Sequence, residues 1–457
     1  MGYKTWLAVF IGVAGAGGGL AARPAGAQTP FPVRLQALAN TTTTGNQDET
    51  AVAVDPNGNF LVVWRDEFLD GSASAIIGRR FSSRTGQPLS GEFLINVTTA
   101  GDQRNPAIAM ANDGRFVVIW EGPDTAPPVT PGIFGSLRAA NGTAIVAEFP
   151  VNTSTAGFQR RPAVAMQPGG AFLVAWQDDT PITRGTVTGE NIAGRIYPAN
   201  FPSAPPSNPF LINVGVQGDQ EEPAAAAFPS TNSWLVGWQG PRQFSPPIPL
   251  ILVRLLDANG NGPTEFEANT SGTAGTRAHA ALAANAQGDA VVVWEAPDQS
   301  HRGIFARRFV DGIPSGPEEQ INLTTDLDER EPSVAIDQRG GFVTVWVATP
   351  LALESAWEGA PEGSPIVILG RKRNASGGLA ELLPPPTDAE FQINTSGATF
   401  RDPWVAAEPR GNFVVAWQGT DEADPQGNGV FYRGFLDALF ADDFETSDTS
   451  RWSAVFP

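Results

Sequence analysis

The chain has no cysteine among its 457 residues. This excludes disulfides, thiolate metal sites, a cysteine nucleophile and a lipid-bearing N-terminal cysteine. Histidine is nearly absent too: His279 and His301 come with no His-Glu-x-x-His pattern and no Gly-x-Ser-x-Gly elbow, so zinc-peptidase and serine-hydrolase chemistry have no motif to rest on. Positive charge is scarce. With 29 Lys and Arg against 48 Asp and Glu, the net charge is −19. No basic field exists to neutralise phosphates, so neither nucleic acid nor an anionic membrane surface is expected as a partner. The acid excess favours solubility and suits cationic ligands or divalent metal.

Long apolar runs are missing outside the N-terminus. There, Lys4, an apolar run over 6–13 and the small residues Ala25, Gly26 and Ala27 before Gln28 predict an export signal over 1–27. The apolar segment 6–22 is Gly-rich and short for a span, so cleavage is expected rather than anchoring. The expected location is extracellular or at the cell surface, with no membrane insertion after cleavage.

What the chain has in quantity is repetition. The segment 161–176, RPAVAMQPGGAFLVAW, reads as an Ala-rich strand, a Gly turn and an apolar strand ending in Trp. The pattern returns at Trp64, Trp120, Trp176, Trp238, Trp294, Trp346 and Trp417, with spacings of 56, 56, 62, 56, 52 and 71 residues. A period of this size, filled with strand signals and supported by 50 Gly and 40 Pro, means a radial array rather than separate domains. The prediction is an all-β, seven-bladed β-propeller of four-stranded blades over 28–437, monomeric, followed by an acidic tail over 438–457.

Each repeat supplies four strands. Ala53, Ala109, Ala165, Ala226, Ala283, Ala335 and Ala406 share one position, and small side chains suit strands converging on an axis, so this strand is innermost. The Trp-ending strand is apolar throughout, as packing on both faces requires. A third strand is typified by 303–309 and a half-exposed outer strand by 92–96. The repeats end on a third strand, 430–435, while the chain begins with an outer-type strand, 31–40. The N-terminal strand is therefore expected to complete the last blade and close the ring.

Asn40, Asn96, Asn152, Asn213, Asn269, Asn322 and Asn394 end the outer strand in every copy. Six of them lie in Asn-x-Ser/Thr, but an Asx-type turn accounts for all seven. Arg79, Arg195, Arg254, Arg307, Arg371 and Arg433 share a third-strand position, and Glu92, Glu148, Glu265, Glu318 and Glu390 share one on the adjacent outer strand. Cross-strand ion pairs are the simplest expectation. Insertions at 198–208, 241–249, 347–364 and 374–389 read as loops. The third carries Trp357 and is expected to stand above one face as a lid or contact surface.

Ligands of closed β architectures sit at the mouth. The loops entering the innermost strands present a different pair in each blade: Asp48/Glu49, Arg104/Asn105, Arg160/Arg161, Glu221/Glu222, Ala278/His279, Arg330/Glu331 and Arg401/Asp402. Variable positions between repeating flanks look like a site grafted on a scaffold; a ring of solvated salt bridges fits the same residues. The loops after the repeat Trp are acidic, with Asp66, Glu67, Asp124, Asp178, Asp179, Asp298 and Asp421. Such carboxylates are of the type that binds Ca²⁺ or works as an acid–base pair, but no motif fixes a cofactor. Asp257 opens a calcium-loop-like run whose twelfth position is Ala268 rather than Glu, so a hairpin turn is expected. Tyr197 and Tyr432 fall on third strands, away from where a sialidase-type nucleophile would sit.

The unit 152–176 resembles a repeat of large secreted or surface bacterial proteins built from tandem propeller blades, and the resemblance covers about 31–435. It implies the propeller fold and supplies no catalytic residues to carry over. The segment 440–452, FADDFETSDTSRW, resembles a short C-terminal segment of exported bacterial proteins. Three functions follow as alternatives: a secreted non-catalytic module binding a protein or glycan at the mouth, a carbohydrate-active hydrolase or lyase using mouth carboxylates and the Arg cluster, and a purely structural surface component.

Overall fold

The computed structural model describes residues 31–436 apart from 33–35, 70, 72, 84, 125–129, 181–188, 216–217, 242–248, 271–276, 299–300, 326, 351–365, 374–389, 396–398 and 422–423. The expected export signal, the acidic tail, Trp357 with most of its insertion, and the 374–389 loop lie outside the described residues.

Every described regular element is a strand. Blade 1 is Gln47–Val54, Asn59–Asp66, Ala75–Ser82 and Phe93–Leu94, each antiparallel to the next. Five further four-stranded sheets repeat this order, with innermost strands Arg104–Met110, Gln159–Met166, Glu221–Phe228, Ala278–Ala284 and Leu327–Ile336. In blade 7, Phe400–Ala407, Phe413–Asp421 and Asp424–Leu436 are completed by the N-terminal segment. Phe31 pairs with Leu436 and Ala37 with Tyr432. The ring closes as the sequence predicts.

The core lies between blades rather than within them. Each apolar cluster joins two successive blades; one packs Leu61, Val63 and Ile95 of blade 1 against Ile108, Phe116 and Trp120 of blade 2. Another packs Val414 and Tyr432 of blade 7 against Val52 and Trp64 of blade 1, sealing the junction. All seven repeat Trp side chains are at most 1% exposed. A β-sheet that is apolar on both faces must be covered on both, and only a closed ring does this for every blade.

The repeated polar residues bind the blades at their outer edge. Each repeat Asn is buried, and its Oδ1 accepts the amide of a third-strand residue, as Asn96 does from Ile76 at 2.8 Å and Asn40 from Val430 at 2.8 Å. Nδ2 donates two residues onward, from Asn96 to Thr98 O at 2.9 Å. The turn role stands, and burial leaves the amide nitrogens no room for a glycan.

The Arg and Glu sets differ from expectation. Arg371 and Glu390 are cross-strand partners by register, but both reach across the seam to the preceding blade. Arg371 donates to Ile321 O, while Glu390 accepts the amides of Leu323 and Thr324. The same reach joins Arg195 to Val151 O at 2.7 Å, Arg254 to Ile212 O at 2.6 Å and Arg433 to Ile393 O at 2.6 Å. Glu92, Glu148 and Glu265 each cap the loop after the preceding repeat Asn. In the closing blade, Gln36 stands in, accepting the amide of Thr395 at 2.9 Å. Unpaired carbonyls and amides at a strand end demand partners more than two solvated charges demand each other.

Candidate functional site

Every innermost strand begins with a bulge: the register slips between Asp48 and Ala51, Arg104 and Ala107, and at the equivalent place in all seven blades. The second residue of each mouth pair occupies it in left-handed conformation, with φ between 48° and 54° for Glu49, Asn105, Arg161, Glu222, His279, Glu331 and Asp402. The bulge turns these seven side chains toward the axis, where they rim a cavity of about 470 Å³. The first residues turn outward. Asp48 holds Arg65 through two bonds of 2.7 Å, Arg104 pairs with Asp102 at 2.7 Å, Arg160 with Glu190, Glu221 accepts from Gln239 at 2.8 Å, and Arg330 pairs with Asp328. Only half of the predicted mouth set therefore meets in one place.

The bulge leaves one backbone N–H per blade without a ladder partner, and the preceding blade always supplies the acceptor. Glu49 accepts from Asn105 at 2.6 Å, Glu222 from His279 at 3.3 Å and Glu331 from Asp402 at 2.8 Å. In the other four blades the residue after the repeat Trp does this: Glu121 accepts from Arg161 at 2.5 Å, Gln177 from Glu222 at 3.4 Å, Glu295 from Glu331 at 2.6 Å and Gln418 from Glu49 at 2.7 Å. The two arrangements are complementary. Where the ring residue is Glu and accepts, the residue after Trp is Arg65, Gln239 or Val347; Arg65 and Gln239 bond Asp48 and Glu221, and Val347 has no acceptor. Where the Glu or Gln after the Trp is itself the acceptor, as in blades 2, 3, 5 and 7, the ring position carries Asn105, Arg161, His279 or Asp402. Glu121, Gln177, Glu295 and Gln418 were not singled out from sequence, although comparing the residue after each Trp with the ring residue of the same repeat exposes the exchange.

The rim has two sectors. In one, Glu222 lies between two cations, bonded to Arg161 and 3.7 Å from His279 Nε2. His279 Nδ1 lies 2.8 Å from Glu295. Burial works against the charged imidazole, but the bond to Glu295 and the charges of Glu295 and Glu222 outweigh it and lift His279 to about 9. The other sector is Glu331, Asp402 and Glu49, in consecutive blades. Burial, followed by the charges of Glu331 and Glu49, pushes Asp402 up to about 7. Burial likewise raises Glu331 and Glu49.

Beneath the rim, the wall is Pro, Ala and aliphatic side chains, with Thr50, Ser333 and Trp404 as the departures. Ala51, Ala107, Ala163, Ala224, Ala281 and Ser333 occupy the position that Trp404 holds in blade 7. Trp404 lines the cavity and is 40% exposed, whereas every repeat Trp is buried. It too escaped the sequence reading.

The acidic loops after the repeat Trp are structural where described. Asp66 accepts the amides of Phe68 and Leu69, Asp178 holds Trp176 Nε1 at 2.8 Å, and Asp179 accepts from Phe158 at 2.6 Å. Asp257 closes its hairpin by accepting from Asn259 and Asn261. Among the described residues, no three His, Asp or Glu side chains converge as a metal site. Tyr197 is buried against Phe172 with ring centroids 4.4 Å apart, and Tyr432 donates to Gly86 O at 2.8 Å, so neither reaches the mouth.

No protein-family model matches the sequence, and no curated protein matches it. Solved structures do. A fungal alcohol oxidase of the AA5 family, in complex with copper, matches at TM-score 0.51 and 11% identity over 88% of this chain and 76% of its own. A Dyadobacter fermentans protein of unknown function matches at 0.48 and 12%, over 89% and 99%. A Penicillium chrysogenum α-L-arabinanase complexed with arabinobiose matches at 0.45 and 12%, over 73% and 92%. At such identities the likeness concerns the fold: this chain is an all-β, seven-bladed propeller of four-stranded antiparallel blades.

Proposed function

We propose that this protein is an exported, non-catalytic binding propeller that takes a protein or glycan ligand at the channel mouth. One observation carries the reading: Trp404 breaks a column of small residues and presents its ring to the cavity. A half-exposed Trp facing a cavity is a poor investment in stability, since Ala serves the same place in five blades, but a strong anchor for a ligand. Asn105, Arg161, His279 and Asp402, which no bulge amide uses as acceptors, add polar specificity around it. Export is supported by Lys4, the apolar run 6–13 and the small residues before Gln28. N-terminal sequencing of protein recovered outside the cells tests this, with Gln28 the expected first residue.

The binding reading is tested by thermal shift against glycan and peptide sets. Stabilisation by a ligand, lost in Trp404→Ala and weakened in Arg161→Ala, is the expected outcome. If the stabilisation survives both substitutions, the mouth is not the site. A second reading, hydrolysis by a carboxyl pair, rests on Asp402 held near neutrality beside Glu331. Release of sugar from any glycan, abolished by Asp402→Asn, would replace the first reading with this one.

A further inference from the structure

Resting on the mouth as a binding site, we propose that its ligand group is an alkylammonium, the side chain of a lysine on a protein partner, seated on Trp404 between Asp402, Glu331 and Glu49. Four features of the cavity select this chemistry. The first is the uneven rim. Arg161 and His279 are both met by Glu222, and His279 also by Glu295, so that sector is matched in charge. The opposite sector sets three carboxyls side by side. The cations around it are Arg65, 3.7 Å from Glu49 but bidentate on Asp48, together with His279, which acts on Glu331, and Arg401, which acts on Asp402 and Glu331. Asp48, Glu121 and Glu295 add further negative charge. A cation placed there relieves repulsion that Arg65, Arg401 and His279 offset only in part, since all three carboxyls stay raised.

The second feature is the indole of Trp404, whose face attracts a cation and whose area covers an alkyl stem. The third is Thr50. It lines the cavity next to Glu49, is 3% exposed, and its hydroxyl has no hydrogen-bond partner among the described residues. Five other blades place Pro at this position. An ammonium carries three donors and needs acceptors of this kind. The fourth is the rest of the wall. Apart from Ser333, whose hydroxyl already accepts from Val405 N, its side chains are Pro, Ala and aliphatic, so sugar hydroxyls entering the channel would lose water and gain few partners, whereas a four-carbon stem loses little there.

Calorimetric titration of the full protein at pH 7 with Nα-acetyl-lysine methylamide, its uncharged norleucine analogue and butylammonium tests the proposal. The lysine compound should bind and the norleucine compound should not. Binding should release protons, seen as a heat that depends on the ionisation enthalpy of the buffer, because a cation restores the charge of the Asp402 cluster. Asp402→Asn and Trp404→Ala should each weaken binding by about tenfold. The melting temperature checks that both variants fold, and Ala at 404 reproduces what five of the other blades carry. Equal binding of lysine and norleucine compounds would overturn the proposal, as would butylammonium binding without the lysine compound, which would make a free amine the ligand. Should a glycan or an uncharged peptide bind in a Trp404-dependent way while the lysine compound does not, the lysine assignment fails and the mouth remains a binding site. If no ligand of any class depends on Trp404, both fall.

Discussion

The rim of the channel and the outer edge of the blades face the same problem and answer it differently. Both must tie each blade to the one before it through backbone groups that the strand ladders leave over. At the outer edge the answer is nearly uniform: an Arg on a carbonyl, a Glu on the loop amides, an Asn at the turn. At the rim a single N–H per blade needs an acceptor, and Glu at the ring or Glu or Gln after the Trp serves equally well. A task with one geometric solution repeats one residue type; a task with two solutions lets the sequence vary. Variation at the mouth is therefore not in itself a mark of function. The informative features are Trp404, the residues left free of the acceptor role, and the neighbourhood of Asp402 to Glu331 and Glu49.

The sharpest way to break this comparison uses two arginines of blade 3. Arg195 donates to Val151 O at 2.7 Å and Ser207 O at 2.9 Å, and lies over the ring of Tyr197. Arg195→Ala should cost about 2–3 kcal/mol in chemical denaturation, as expected for charge-assisted bonds to otherwise unpaired carbonyls. Arg161, 54% exposed and paired with Glu222, should cost no more than ~0.5 kcal/mol when replaced by Ala. Equal losses would mean that the rim is as structural as the edge.

A second contrast lies seven residues after the repeat Asn. Gln47, Gln103 and Gln159 there accept from that Asn and donate to a loop carbonyl, Gln159 to Ala156 O at 2.8 Å. Blade 6 has Glu329, fully buried, with neither carboxyl oxygen bonded among the described residues. Burial, then the charges of Asp298, Glu390 and Asp328, pushes it up to about 9. The folded state thus keeps a proton that the unfolded state releases above its ordinary carboxyl range. The stability this group contributes falls as pH rises from about 4.5 towards 9. Glu329→Gln should flatten that decline and add roughly 1–2 kcal/mol at pH 8 by restoring the bonds of the other blades. Urea melts across the pH range decide it; an unchanged slope would mean that Glu329 is ionised in the fold.

The acceptor exchange itself can be tested in blade 6, where Val347 follows the Trp and Glu331 serves Asp402 N. Glu331→Ala should lose about 1 kcal/mol. Adding Val347→Gln should recover part of it, since Gln177 and Gln418 perform this task from the same position in their own blades. No recovery would show that the two positions are not interchangeable.

Much of this was legible in the sequence because it repeats. The Trp period, the Ala column, the Asn turn and the displaced N-terminal strand all report backbone architecture, which a repeat states seven times over. The partners of Arg195 and Glu390 were not legible. Sequence shows that their strands are adjacent, and it is the depth of the seam between blades that sends both side chains across to backbone 44 and 67 residues earlier. The mouth was half legible. Its positions were found, but a β-bulge was needed to turn the second member of each pair inward and the first outward. Trp404 was hidden among 12 tryptophans until its place in the column of small residues became visible.

The smallest expected effect belongs to His279, and it separates the two rim sectors. Its imidazole is raised to about 9 by Glu295 and Glu222, so the folded state binds the proton more tightly than the unfolded one. The contribution is complete below the unfolded value of about 6.5 and is lost as pH rises through about 9. Because the side chain is 47% exposed, the change in melting temperature will be slight, and NMR of the imidazole is the better measurement. A midpoint near 9, falling towards the ordinary value in Glu295→Gln, is expected. A midpoint near 6.5 in the parent protein would mean that the Glu222 sector is no better matched in charge than the Asp402 sector. The contrast that directs a cation to Trp404 would then be lost.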